Sequence, residues 1–489
     1  MSHAALLLGL AFTAIAMASL AAYSANGLPA IGGSSLLCLI VWLCSSAVLI
    51  ARDRRGIWSP SVIFFNVFAV FHFGLGLVYW SGGDLRDIVW ITDPAVPKAF
   101  MIVAWGGIAL FFGMLLPDLT TSIVTHLRQR QGVGPPVVTT AALPSGEQTS
   151  LSDLTVLPRV GLLMTVASIV AWFALVLPLV GGRIWGLSYG EFLLATDDAG
   201  LSWVYFFLSL GVAMSVLSGA RLATRWSIGV FALWALVALP IGLRGEVMFP
   251  TAAALMITSH RLKRVGILAA LMVGILVLSL SAMFREVRRE GWGGVDWSWQ
   301  TVNPAAAVQE LGQSLRPTFE TIRWIEGGDQ FLNGGSYWAP VERGFLRLFP
   351  VQARAEGEED RRLMNVLVME RVGPIGFSPV AESYYNWGVP GVVLVMTFMG
   401  WIIAYLAVDP PSFMRQALMA SIYVPLLNHI RNSFAPVLAQ TLVGVVVIVA
   451  LLLLEQWIRS RRDSALAGGS ADEQQLASAI RKSDQNRPT

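Results

Sequence analysis

Read from one end, the chain alternates long apolar runs with short polar breaks, and the runs carry neither the period-2 alternation of half-buried strands nor a single apolar stripe. Runs apolar on all sides and about 20 residues long match helices that cross about 30 Å of hydrocarbon. The pattern predicts twelve such spans, at 4–25, 33–51, 61–80, 97–117, 159–180, 201–219, 226–243, 246–260, 265–283, 383–406, 413–428 and 434–455. The first is read as a helix rather than a cleaved leader, because it lacks a basic start and the next span follows at once. The expected fold is therefore all-α, a polytopic transmembrane helical bundle with a large periplasmic loop between late helices.

The breaks divide the chain into an N-terminal set of about nine spans (1–283), a large outer segment (284–382), three C-terminal spans (383–455) and a tail (456–489). Segment 118–158, with its Pro-, Gly-, Ser- and Thr-rich "GVGPPVVTTAALPSGEQTS", reads as a flexible linker inside the first set, and the tail from about 464 reads likewise. Positive residues cluster at Arg52, Arg54 and Arg55, at Arg221 and Arg225, at Arg261, Lys263 and Arg264, and at Arg459, Arg461 and Arg462. All fall on one side of an alternating scheme, which the positive-inside rule makes cytoplasmic, with both termini. The opposite face then holds 181–200, the turn at Arg244, segment 284–382 and the turn at Arg431.

Composition agrees with this. Hydrophobic residues make up 55% and charged residues 13%, which excludes an ordinary soluble enzyme. The net charge of +3 comes from those short clusters and forms no basic face of the kind nucleic acid requires. Cys38 and Cys44 both lie in the second span and read as buried thiols, too few for a disulfide framework or a structural metal. Asp197 and Asp198 stand without histidines, and His72 is alone in a span, so the sequence offers neither a metal nor a cofactor site.

Chemistry concentrates on the predicted outer face. Arg244, in "ALPIGLRGEVMFP", sits where a charge is costly unless an anion or a partner meets it; Glu246 is the nearest partner in sequence, and Gly242 and Gly245 permit a tight break. Its forked guanidinium suits a phosphate or diphosphate. His429 and Arg431 occupy an outer turn that topology does not require to be basic, with Arg431 an anion binder and His429 either a proton carrier or a helix end. In "GFSPVAESYYNWGVPG", Ser378 and Pro379 can begin a helix with Glu382 in its first turn; Glu382, Tyr385 and Asn386 are expected to form a polar patch beside the membrane. Gly388 and Gly391 suggest close helix packing.

The outer segment carries Trp292, Trp297, Trp299, Trp324, Trp338 and Tyr337, read as interfacial anchors or sugar platforms, and "TVNPAAAVQELGQSLRPTFETIRWIEG" reads as an amphipathic helix ending near Gly327. Tyr337, Trp338, Glu342, Arg343 and Arg347 combine aromatic, carboxylate and guanidinium groups suited to sugar. "ARAEGEEDRRLMNVLVMERVG" reads as a solvated face.

Arg244-Gly245 at a membrane span, "GGSY" at 334–337 followed by Pro350, "ESYYNWGVPG" at 382–391 and His429-Ile430-Arg431 before the last span together resemble the Wzy-like O-antigen and exopolysaccharide repeat-unit polymerases. The resemblance extends from about 33 to 455 and departs in the last motif, where "IRNSF" replaces an arginine-glycine-acidic arrangement. It implies a metal-independent glycosyltransferase of the bacterial inner membrane. Donor and acceptor would both be oligosaccharide repeat units on undecaprenyl diphosphate, with a chain-length regulator and a repeat-unit flippase as partners. Arg244 and Arg431 would face the diphosphate, and Glu382 or His429 would take the acceptor's proton. A polysaccharide ligase shares that topology and donor; a transporter or flippase would need ionisable groups at mid-membrane, where the spans are nearly clean.

Overall fold

The computed structural model describes residues 3–26, 30–130, 156–181, 184, 187, 189–196, 199–217, 221–263, 266–290, 302–346, 360–408 and 413–485. Among them every regular element is a helix: α1 His3–Asn26, α2 Ile31–Arg52, α3 Pro60–Trp80, α4 Val96–Arg130, α5 Val156–Val180, α6 Tyr189–Thr196, α7 Leu201–Leu217, α8 Arg221–Ile241, α9 Arg244–Thr258, α10 Ile267–Glu290, α11 Pro304–Gly312, α12 Arg316–Glu326, α13 Gly335–Leu346, α14 Met364–Val372, α15 Pro379–Leu406, α16 Phe413–His429 and α17 Phe434–Gln485.

All twelve predicted spans fall on helices, but not all are full crossings by length. Eight described helices are long and apolar enough, or nine if α6 and α7, bent by 101°, act as one. The 15 residues of α9 rise about 22 Å and the 17 of α16 about 26 Å, both short of about 30 Å of hydrocarbon. Two further expectations change. Residues 118–130 continue α4 rather than opening a linker, with 131–155 outside the described residues, and α17 runs as helix to Gln485 where a structureless tail was expected. Cys38 is buried, whereas Cys44 is exposed on the outside of the bundle.

The core is a continuous apolar cluster from α1–α4, α7, α9, α15 and α16, crowded with Phe64, Phe65, Phe68 and Phe111. At its centre α4 and α15 touch backbone to backbone. A methyl group added at Gly113 would collide with the Thr397 carbonyl oxygen, and one at Gly400 with that of Leu110. Small residues at such crossings let helices gain dispersion contacts that lipid cannot supply.

At one end of the bundle, arginines close the helix carbonyls. Arg55 donates to Ala407 O at 2.6 Å, Arg52 to Met114 O at 2.5 Å, and Arg261 to Val216 O and Leu217 O at 2.9 and 2.6 Å. Ala407, Val216 and Leu217 end α15 and α7, where cations belong at the negative ends of helix dipoles, whereas Met114 lies within α4 and ties it to Arg52 at the end of α2. Arg52 pairs with Asp118 as well.

At the opposite end, called here the site end, α11 and α12 do not rest on the surface as one amphipathic helix. A 3-10 turn at Gln313–Leu315 separates them. α11 sinks between spans, since a methyl group at Gly74 of α3 would meet Val308 O at 3.0 Å and one at Gly312 would meet Leu75 N at 2.6 Å, while α12 lays Phe319 and Ile322 into the core cluster. Contact at Gly74, six residues below the end of α3, places α11 about 9 Å deep along that helix.

Candidate functional site

The site end gathers the start of α9, the α16–α17 turn, α11 and the start of α15. Gly242, at φ 106°, reverses the chain between α8 and α9 and delivers Arg244 to the first helical residue. Arg244 is buried, and its Nη1 donates to Glu310 Oε2 of α11 at 2.6 Å. The sequence pointed to Glu246 as partner; the partner is instead Glu310, 66 residues on. The docking of α11 against Gly74 carries that carboxylate down to the arginine. A buried guanidinium without such a carboxylate would cost several kcal/mol, about 3–5 when one partner is removed.

Arg431 differs. Its side chain is exposed at the α16–α17 turn, with no ion pair or side-chain hydrogen bond to any described residue. Its backbone is fixed, since Arg431 O accepts from Phe377 N at 3.1 Å and Asn432 Nδ2 donates to Asn428 O and Oδ1 at 3.0 and 2.9 Å. Asn432 thus locks the turn at the very position where the last motif departs from the expected arrangement. His429 is buried with Nδ1 3.0 Å from Asn432 O, so its ring closes the turn from within.

Beside this turn lies a cavity of about 200 Å³ between α7, α9, α16 and α17, lined by Tyr205, Glu246, Asn428, Asn432 and Gln440 among others. Glu246 is half-buried, and the positive charge of Arg431 reaches its carboxylate. Glu246 therefore looks into the polar cavity, while Arg244, two residues earlier, turns toward α11.

Glu382, Tyr385 and Asn386 do not form a polar patch beside the membrane. All three are buried, because loop 331–336 and the first turn of α17 close over them. Ser378 Oγ accepts from Ala381 N at 3.1 Å and Pro379 opens α15, as the sequence indicates. Glu382 Oε2, however, accepts from Phe434 N at 2.7 Å, supplying an acceptor to the first amide of α17. Asn386 Oδ1 accepts from Gly334 N at 2.9 Å, and its Nδ2 donates to Ser336 Oγ and Glu382 O, both at 2.7 Å. Tyr385 donates to Asp329 Oδ2 at 2.8 Å, and Asp329 pairs with Arg371 at 2.6 Å. Gly388 serves a break in α15 rather than helix packing, since Trp387 and Gly388 leave helical geometry there. Tyr337 stacks on Trp387, rings 5.5 Å apart and 11° from parallel. Burial first, and then the Glu382 carboxylate, hold the Tyr337 phenol well above the usual tyrosine range.

Among the described residues of the sugar-binding set, Trp338 alone is strongly exposed, at 62%. Arg343 lies 3.4 Å from Asp360, Glu342 accepts from Arg362 at 2.8 Å, and Arg362 reaches Asp360 at 3.0 Å. Arg347, Pro350, Trp292, Trp297 and Trp299 lie outside the described residues. Of the segment read as a solvated face, 353–359 lie outside the described residues, and the described part, 360–373, is amphipathic instead. Asp360, Met364, Leu367 and Val368 are buried, the last three with Phe377, Ala381 and Tyr385 in a small cluster of their own.

Sequence reasoning passed over Glu310, inside a helix chosen for its apolar face. A carboxylate on a helix that must dock among spans was the available signal, because such a group needs a cation.

No solved structure matches the chain. Protein CapE of Staphylococcus aureus is 25% identical over 285 residues, and the match covers 58% of this chain and 62% of that relative. The profile of the O-antigen polysaccharide polymerase Wzy matches residues 193–460, a stretch containing Arg244, Glu246, Glu310, Glu382, His429 and Arg431, and the chain belongs to that family.

Proposed function

We propose that this protein polymerises oligosaccharide repeat units carried on undecaprenyl diphosphate, transferring the donor glycan as a block to the sugar of another lipid-linked unit at the periplasmic face. The observation that carries this reading is Arg431, an exposed guanidinium on a rigid turn beside a polar cavity, within the stretch matched by the polymerase family. A lipid diphosphate presents paired oxygens to such a fork.

In this reading Arg431 holds the diphosphate. Arg244 supplies a second positive charge nearby, kept in place by Glu310. As the bond between the donor's anomeric carbon and the diphosphate oxygen breaks, the leaving group takes the electron pair and the arginines balance the developing charge. The acceptor hydroxyl forms the new glycosidic bond and gives its proton to a carboxylate. Glu246 suits that step because it lines the cavity and lies within reach of Arg431's field. Glu382 and His429 instead position the turn and the start of α17, being buried and engaged with backbone. Arg244 is buried, so little water reaches its contact with Glu310 and the ionic interaction there is stronger. Multi-pass residence in the inner membrane, with both termini cytoplasmic and a regulator and a flippase as partners, belongs to the same proposal.

Purified protein supplied with synthetic lipid-linked repeat units tests it. A ladder of growing glycans with release of lipid diphosphate is expected. A single transfer to another lipid or protein acceptor, without growth, would make the protein a ligase.

A further inference from the structure

Three clefts at the site end adjoin one another, and all three are lined by Asp93. The first, about 590 Å³, lies between loop 81–95 and α12; the second, about 380 Å³, runs past the Lys98–Glu326 pair; the third, about 630 Å³, lies against the ends of α3 and α4. The first and second also share Arg323, and the second and third share Pro94. Together they make one groove of three compartments, each within the range of ordinary small-ligand sites.

The groove begins beside the arginine site. Gln313, in its wall, donates its backbone N–H to the carbonyl of Glu310, the partner of Arg244. Its far side is anchored to the same helix, because Gln309 Nε2 donates to Asp84 O at 3.0 Å.

The lining has a distinct chemistry. Trp90, half-buried, stacks on the buried Phe319 at 5.3 Å and 24° while also lining the first cleft, so it is a braced aromatic platform. Charges of both signs surround it: Arg316 with Glu320 at 3.2 Å, Arg323 with Asp93 at 3.9 Å, and Lys98 with Glu326 at 2.6 Å in the next compartment. Because the acids in its lining outnumber the bases by one, five to four, the groove does not call for a polyanion. An acyl chain would strip water from these charges without pairing them. A near-neutral chain rich in hydroxyl and amide groups matches both features, since each sugar offers an apolar face to the ring and hydroxyls to carboxylate and guanidinium.

We propose that this groove is an extended carbohydrate-binding track, holding the sugars of the glycan that lie beyond the reacting bond. The inference rests on the polymerase reading for the role of the bound glycan, but not for binding itself. Occupying several compartments raises effective concentration at the arginine site, so the track favours continued growth of a chain already bound.

The test uses the full-length protein in detergent and, as probe, carrier-free oligosaccharides released by mild acid from the polysaccharide of cells making the protein. Binding is read by saturation-transfer NMR, and product length by gel after reaction with lipid-linked units. Trp90→Ala is expected to weaken probe binding about tenfold and shorten the products, while Trp90→Phe keeps most of both. Arg316→Gln, at a partly exposed side chain, gives a second reading should Trp90→Ala fail to fold. Parental binding and product length in Trp90→Ala, or in Arg316→Gln if the former does not fold, would overturn the track. A parent protein that binds the probe without forming polymer would overturn the polymerase reading and leave the track standing; one that forms polymer yet does not bind the probe would do the reverse.

Discussion

Arg244 of α9 and Glu310 of α11 meet at 2.6 Å although 66 residues separate them, and the arginine is almost wholly buried. This pair joins the spanning bundle to the segment that follows α10, so its loss should be felt in both folding and turnover. Glu310→Ala should destabilise the protein by about 3 kcal/mol, because it leaves a buried guanidinium without its carboxylate. The double variant Arg244→Ala/Glu310→Ala should recover part of that loss in thermal unfolding but form no polymer. A double variant as active as the parent would remove Arg244 from the mechanism.

Arg431 calls for a different pattern, since its side chain bonds to no described residue. Arg431→Ala should leave thermal stability within about 0.5 kcal/mol of the parent, as for surface substitutions generally. It should also abolish polymer formation, with Arg431→Lys restoring only part because ammonium lacks the two-pronged donor geometry. Parental turnover in Arg431→Ala would show that the diphosphate is held elsewhere.

The Glu382–Phe434 contact separates a positioning carboxylate from a base. Glutamine retains an oxygen that can accept from Phe434 N, so Glu382→Gln should keep most stability and turnover. Glu382→Ala should cost about 1–2 kcal/mol by leaving that amide without its acceptor. Glu246→Gln, by contrast, should lower kcat strongly with little change in thermal stability. If Glu382→Gln proved inactive at parental stability, the base would be Glu382.

The spans were legible because the apolar runs are long and their arginine breaks alternate in parity, so all twelve fall on helices. The partner of the buried arginine was not legible: Glu310 reaches Arg244 only because α11 docks against Gly74 of α3, a packing that no local pattern announces. Helix-start residues Ser378 and Pro379 were readable because capping is local. The burial of Glu382 and Asn386 was not, since it depends on loop 331–336 and α17, distant in sequence. Trp90 drew no notice beside the tryptophans of 284–382, because nothing local indicates that Phe319 will brace it.

Topology has a direct test at Trp338, the strongly exposed aromatic of α13. In a background with Cys44 replaced, Trp338→Cys should react with a membrane-impermeant maleimide added from the periplasmic side. Labelling only after lysis would invert the assigned orientation.

Acid should loosen the cluster joining α13 to α14 before it affects the bundle. The Arg362 guanidinium, opposed in part by burial, holds the Asp360 carboxyl below the usual carboxylate range, and Arg343 adds to this. A folded-state value below the unfolded one, about 3.9, means that the native state binds fewer protons, so the stabilisation is complete above that value. It is lost as pH falls through the lower, folded value, when protonation removes the charge that both arginines share. Hydrogen-exchange protection factors for 360–372, corrected for the intrinsic effect of pH on exchange, should therefore be steady from neutrality to about pH 5 and fall below about pH 4. Asp360→Asn should show reduced protection at all of these pH values and a weaker dependence on pH. If the parent kept full protection down to pH 2, the Asp360–Arg343 contact would not be what ties these two helices together.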